Sequence, residues 1–439
     1  MNKKVLIVYE KMGMGHRRMA DILEDILKEE NASIIKCAGS EMIGDTSINI
    51  IVKLWNFLIR KNLTKTADML LNFILRIFIL PFIEVSSTSA YHEKLQEINP
   101  DIIICTADGF NKAIGSYAKE KGIPFYIFIT EISIFIDLVN PYATHLCYFN
   151  EVGEAIRNYD FSKTYYSYEL NKETTFLEKI EYILKYYKDF VIYGYKNSIF
   201  RNPQYNLKQN NDAKFKVIGP LAEKKHFKEK DINKIKEKYG FNNNNDTVMI
   251  ASGSIGGKIL LNIVKNICRS YNKPLNLIVI CGKDEKTYNK IQNLDEINID
   301  VKLIPFKFIE NFDEILAAVD CIIARPSAGI FIESLINKIP EITFQKATSN
   351  DKGTLSIIEK YNIGKVINKN EDIKEALEEI LSNKDIYKEN INNLLNMYCN
   401  SYEDKKKILK ETILYSHDYD YNINKCLDAK IELNVPLSH

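Results

Sequence analysis

"VLIVYEKMGMGHRRMADILEDILKEE", residues 5–30, joins an apolar run to an amphipathic helical pattern through two glycines and a histidine. An apolar run without polar alternation implies a strand buried on both faces. In a doubly wound sheet the strand-to-helix junction lies at the carboxyl edge of the first strand, where ligands bind. Unpaired N–H groups and the helix dipole at such a junction suit an anion. Gly13, Gly15 and His16 are therefore the first candidate site residues.

The same alternation continues outward from this stretch. "PDIIICTA", "NKAIGSYAKEKG" and "IPFYIFIT" follow it, and the pattern restarts after residue 245 with "DTVMIAS", "KILLNIVKNICRS", "NLIVICG", "VKLIPF", "DCIIARP", "IFIESLINK" and "PEITF". Two βα series separated by a break predict an α/β chain of two Rossmann-like domains. The expected boundaries are an N-terminal domain over 1–150, a helical insertion and linker over 151–216, and a C-terminal domain over 217–400. A helix and tail complete the chain over 401–439. Within the insertion, "TTFLEKIEYILKYYKDF" (174–190) has helical period, and the Tyr-rich segment is a candidate protein-contact surface. "FKVIGPL" (215–221) reads as the linker.

A net charge of +1 argues against general polyanion binding, so no nucleic-acid partner is expected. The eight cysteines include no CxxC pair, and no HxxxH spacing occurs, so no metal site and no cofactor are expected. The first apolar run is only about five residues, too short for a secretory signal, which sets the expectation of a cytoplasmic protein. Residues 51–81 are the membrane-like segment. The apolar stretch between Asp68 and Glu84 reaches roughly 22 Å as a helix, against a hydrocarbon core of about 30 Å. Upstream, Trp55, Phe57, Leu58 and Ile59 interleave with Lys53, Arg60, Lys61 and Lys65, a mixture suited to an anionic membrane surface. Peripheral attachment is the expectation; a pair of buried domain helices is the alternative.

Two further constellations carry chemistry. "MIASGSIGGKILLNIVKN" (249–266) leads a strand through Gly253 and Ser254 into a helix, a phosphate-type turn that is neither a Walker A loop nor a GxGxxG fingerprint. "FIENFDEILAAVDCIIARPSAGIFIESLINKIPEITF" (308–344) supplies a small-residue turn after a strand, with Glu333 in the following helix. A carboxylate there can accept hydrogen bonds from ribose hydroxyls.

Taken in order, "GxGH" (13–16), "PDIII" (100–104), "SGSIGG" (252–257), "FIEN" (308–311), "DCIIARPSAGIFIES" (320–334) and "NDK" (350–352) resemble the GT-B glycosyltransferases of family 28. That group includes monogalactosyldiacylglycerol synthases and processive diacylglycerol glucosyltransferases. The resemblance implies a UDP-sugar held by the second domain. Ser254 would face the diphosphate, and the Ile309 backbone would read the uracil. Arg325, Ser327, Ala328 and Gly329 would line the cleft, Glu333 would bind the ribose, and Asn350 and Asp351 would meet the sugar. Gly13, Gly15 and His16 would form the opposite wall.

The sequence departs from the family at the acceptor side. Lipid-directed members carry a Thr-Asp pair followed by a histidine; here "FITEISIFIDLVNP" (128–141) offers Thr130 and Glu131, with Phe135 in the histidine's place and Asp137 two positions on. Asn140 replaces another polar family position, and Ile330 stands where a threonine is usual. Glu131, His16 and Asp137 are thus the candidate bases. The expected activity is inverting transfer of a sugar from a UDP-sugar to a hydroxyl of a lipid or lipid-linked acceptor at the cytoplasmic membrane face. The alternatives are a non-lipid glycosyltransferase or nucleotide-sugar 2-epimerase of the same fold, and a non-catalytic nucleotide-sugar or partner-binding protein. His92 reads as a surface residue, and His145 as a packed one.

Overall fold

A computed structural model describes residues 3–10, 15–30, 32–42, 44, 53–54, 57–58, 63–70, 74, 79–107, 109–135, 138–157, 175–189, 214–251, 257–295 and 297–415. Two parallel sheets of six strands each organise them. The first contains β1 (Lys4–Tyr9), β2 (Ser33–Ala38), β3 (Ile102–Cys105), β4 (Phe125–Phe128), β5 (Thr144–Cys147) and β6 (Lys214–Val217), in the order β2-β1-β3-β4-β5-β6. The second contains β7 (Asp246–Ala251), β8 (Leu275–Ile280), β9 (Val301–Phe306), β10 (Cys321–Ile323), β11 (Glu341–Phe344) and β12 (Gly364–Ile367), in the order β12-β11-β10-β7-β8-β9. This is the two-domain α/β arrangement that the sequence resemblance implies.

The apolar runs behave as parallel strands should. All residues of β3, β4 and β8 are buried, because helices cover both faces of each sheet. The first helix, Gly15–Lys28, turns His16, Met19, Ala20, Ile22, Leu23, Ile26 and Leu27 inward at a period near 3.6. The helix Leu80–Ile98 begins with Pro81 in its first turn, where the missing N–H costs no bond, and stops at Asn99 in the left-handed region.

The order in which strands are added reverses once in each sheet: between β1 and β3 in the first, between β7 and β10 in the second. Ligand crevices open at the carboxyl ends of such strand pairs.

Two segments differ from the sequence-based division. Lys214–Val217 is not linker but the sixth strand of the first sheet, with Leu146 opposite Lys216. The C-terminal helix Tyr402–Leu414 lies on the first domain: Leu409 and Ile413 join its core, and Tyr126 Oη donates to Thr412 O at 2.7 Å. The expected insertion helix is present as Phe176–Asp189, with Tyr182 buried and Phe176, Leu177 and Leu184 exposed.

The first core does not end at the domain boundary. Phe331, Leu335, Ile357 and Ile358 of the second domain belong to it, and the Phe149 and Phe331 rings lie 6.3 Å apart. Apolar packing thus holds the two carboxyl edges against each other.

Candidate functional site

On the first domain, His16 stands in the opening turn of its helix and is buried. Its Nδ1 is 2.5 Å from Thr106 O, just past β3, and 3.0 Å from Thr130 Oγ1, just past β4. A carbonyl only accepts, so Nδ1 carries the proton and Nε2 is the basic nitrogen. Thr106 Oγ1 donates back to His16 O at 2.9 Å. The wall predicted from "GMGH" is therefore tied to the ends of β3 and β4. Beside Gly15 there is open space where a side chain would stand.

On the second domain, the helix Ala328–Ile336 starts without a side-chain cap. Its first intrahelical bond runs from Phe331 N–H to Ser327 O, so the N–H groups of Ala328, Gly329 and Ile330 precede the ladder. Gly329 is exposed beside open space. Ile309 and Ile330 both pack against the same second-domain apolar cluster.

Arg325 and Asp351 form a two-pronged pair: Nε donates to Oδ2 at 2.9 Å and Nη2 to Oδ1 at 3.0 Å. Thr348 Oγ1 adds a third bond to Asp351 Oδ2 at 2.7 Å. Burial works against the Arg325 charge, but Asp351 and, behind it, Glu131 outweigh that and hold its pKa above the usual value. Asp351 is thus engaged by Arg325, and Asn350, also buried, lends its carbonyl to the first domain.

The two halves meet through specific bonds. Ser133 Oγ donates to Asn350 O and accepts from Gly353 N–H, each at 2.9 Å. Arg18 Nη1, one helical turn below Gly15, donates to Glu333 Oε1 at 2.8 Å. Asp68 accepts from the N–H and hydroxyl of Ser349 at 2.7 and 2.8 Å, tying the membrane-like segment to the same second-domain turn. Glu131 and Glu333 both act on the buried Tyr148 between them; burial first, then their charges, push its pKa upward. Burial raises the Glu333 carboxyl to about 7, with Arg18 pulling the other way.

The structure thus gathers His16, Gly15, Glu131, Arg325, Ser327, Ala328, Gly329, Glu333, Asn350 and Asp351 around one junction, while Ile309 packs against the second-domain cluster. Gly13, Asp137, Gly253 and Ser254 lie outside the described residues. His92 is a correction: it is buried, with Nε2 2.9 Å from Ser116 Oγ, because the helix Leu80–Ile98 packs that face on the helix Asn111–Lys121. His145 is packed as expected; burial lowers its pKa to about 4, and it accepts from Asn140 N–H. Asn140 itself is fully buried, donating to Asn111 O, and braces the loop. Phe135 is buried core.

Arg18, Ser133 and His226 escaped the sequence reading. His226 Nε2 lies 3.9 Å from Glu333 Oε1, and burial lowers its pKa to about 4. Only Arg18 had a local signal, its place one turn after the glycines. Among the described residues, no three His, Cys, Asp or Glu side chains group as metal ligands, and no helix is long and apolar enough to cross a membrane.

Comparison with known proteins agrees with this geometry. Residues 247–411 match the glycosyltransferase family 28 C-terminal domain. The processive diacylglycerol beta-glucosyltransferase of Bacillus pumilus is 27% identical over 154 residues, 35% of this chain and 39% of that protein. Its Bacillus subtilis counterpart is 26% identical over 153 residues, 34% and 39% of the two chains. The matches thus span about two fifths of these relatives' length. Among solved structures, MurG of Acinetobacter baumannii superposes with a TM-score of 0.57 at 12% identity, covering 94% of this chain and 100% of that one. Phytolacca americana UGT2 gives 0.55 at 9%, covering 95% and 100%. At such identities these two structures speak for the fold alone. Two Rossmann-like domains, the second matching the glycosyltransferase family 28 C-terminal domain over residues 247–411, give this chain the GT-B fold with a family 28 C-terminal domain.

Proposed function

We propose that the protein is an inverting hexosyltransferase that moves a sugar from a UDP-sugar to a hydroxyl of a membrane lipid, of the diacylglycerol class named for its Bacillus relatives. The observation that carries this reading is the junction. Ser133 joins the loop bearing Thr130 and Glu131 to the turn bearing Asn350 and Asp351, so candidate acceptor-side and donor-side groups share one site.

In this reading the acceptor oxygen attacks the anomeric carbon from the side opposite the diphosphate. Glu131 takes the hydroxyl proton as the new bond forms. The bond from the anomeric carbon to the phosphate oxygen breaks, and its electron pair leaves with UDP. Charge then builds on the diphosphate, where the helix starts at Ala328 and Gly15 supply N–H donors and favourable dipoles. Glu333 accepts the ribose hydroxyls, and Arg325, steadied by Asp351, supplies positive charge to the cleft. His16, with Nε2 basic, is the second candidate base.

A membrane acceptor is supported by the segment 51–81. Its described residues expose Leu54, Phe57, Leu63 and Met69 beside the exposed Lys53 and Lys65, and Asp68 links it to the donor-side turn. Peripheral attachment at a membrane surface is the matching location.

Turnover of a panel of UDP-hexoses with and without diacylglycerol vesicles tests the proposal. Transfer that depends on the lipid is the expected result. An epimerised UDP-sugar, or UDP binding without turnover on any acceptor, overturns it.

A further inference from the structure

The ion pair between Arg18 and Glu333 crosses from one domain to the other. Glu333 is nine-tenths buried, whereas Arg18 is nearly half exposed. The groups facing Glu333 come from several elements. The first helix contributes Arg18; the short 3-10 helix Lys224–Phe227 contributes His226 and Lys225, with Glu223 just before it; the helix Phe312–Ala317 contributes Asp313; the end of β5 contributes Tyr148. His226 is the other basic side chain within 4 Å, and its pKa of about 4 leaves it neutral at pH 7. Among the described residues, Arg18 is therefore the one charged cation in contact with this carboxylate.

We infer that Arg18 is a positioning residue for the nucleotide ribose: from the first domain it orients the Glu333 carboxylate and favours its ionised form, so that both ribose hydroxyls can donate to it. This rests on the ribose role proposed for Glu333. Two hydroxyl donors need an acceptor-only carboxylate, since a protonated carboxyl turns one oxygen into a competing donor. Burial drives Glu333 toward the protonated form, to a pKa of about 7 even with Arg18 opposing it, so removal of Arg18 pushes it higher still. Because Arg18 belongs to the acceptor-side domain, the ribose site is complete only when the domains are apposed. Donor capture and assembly of the junction are thereby coupled.

The test compares calorimetric affinities of the full chain for UDP and its dideoxyribose analogue between pH 6 and 9, with circular dichroism to verify folding. The wild-type protein should prefer UDP over the analogue. Arg18→Met should weaken UDP binding about tenfold at pH 7, as expected for loss of a charged hydrogen-bond partner. It should leave the analogue's affinity unchanged and regain UDP affinity toward pH 9. Arg18→Lys should restore most of the preference, and Arg18→Gln replaces the Met variant if that one does not fold. An Arg18→Met protein with wild-type preference and pH profile, or one that binds UDP more tightly, overturns the inference. Glu333→Gln separates the two claims. If it keeps the preference for UDP, the ribose reading itself fails; if it loses the preference while Arg18→Met keeps it, only the role of Arg18 fails.

Discussion

Gly353 lies so close to Ile132 that a Cβ at position 353 would stand 2.5 Å from the Ile132 carbonyl. This contact is backbone against backbone across the domain boundary, one residue from both Glu131 and the Ser133 bridge. No side chain can be accommodated without moving one loop. The closeness of the two halves of the site therefore depends on this glycine.

Gly353→Ala should accordingly lower lipid-dependent turnover by about 10²-fold, the cost of displacing reacting groups by roughly 1 Å. Overpacking should also lower stability by about 1–3 kcal/mol. Steady-state kinetics and denaturant melts measure the two effects. Wild-type turnover in a folded variant would show that the loops need not touch for catalysis.

The Glu333 carboxyl makes stability depend on pH with an unusual sign. Its folded pKa of about 7 lies above the ordinary 4.5, so the folded protein binds the proton more tightly than the unfolded chain does. Its unfavourable contribution is absent at acid pH, grows as pH rises from about 4.5 to about 7, and is constant above. The full effect is on the order of 3 kcal/mol. Glu333→Gln should thus gain stability over wild type between pH 5 and pH 7.5 in urea titrations. Parallel pH curves for the two proteins would remove the buried-carboxylate assignment.

The candidate bases are separable by kinetics. With Glu131 as the base, Glu131→Gln lowers turnover by about 10²–10⁴ with little change in UDP affinity. His16→Ala should have a smaller effect on turnover and should also alter donor binding, because His16 anchors the glycine wall through Thr106 and Thr130. The reverse ranking makes His16 the base.

Residues 51–81 should bring the protein to anionic vesicles at low salt, with binding falling as salt screens the lysines. Paired Lys53→Glu and Lys65→Glu substitutions should weaken sedimentation with vesicles and lipid-dependent turnover together. Wild-type sedimentation in that variant would place the membrane contact elsewhere.

Much of the site was legible because it is local. Gly15 and His16 open the first helix, "RPSAG" leads β10 into the helix that carries Glu333, and the helix ladder fixes where backbone N–H groups are left over. The contacts of Arg18 and Ser133 were not legible, since their partners lie 315 and 217 residues away. No spacing rule reaches that far.

By itself, the sequence determined two doubly wound sheets, through apolar runs that can be buried only between helices, and it determined which turns carry the glycines and carboxylates. Tertiary structure alone decided that Lys214–Val217 closes the first sheet instead of linking domains. Strand pairing is a property of two segments, and β5 and β6 are separated by more than sixty residues. It also decided that Arg18 meets Glu333 and that Gly353 meets Ile132. Both follow from how the two domains pack around Phe149 and Phe331, and the burial that sets the Glu333 pKa exists only once that apolar contact has formed.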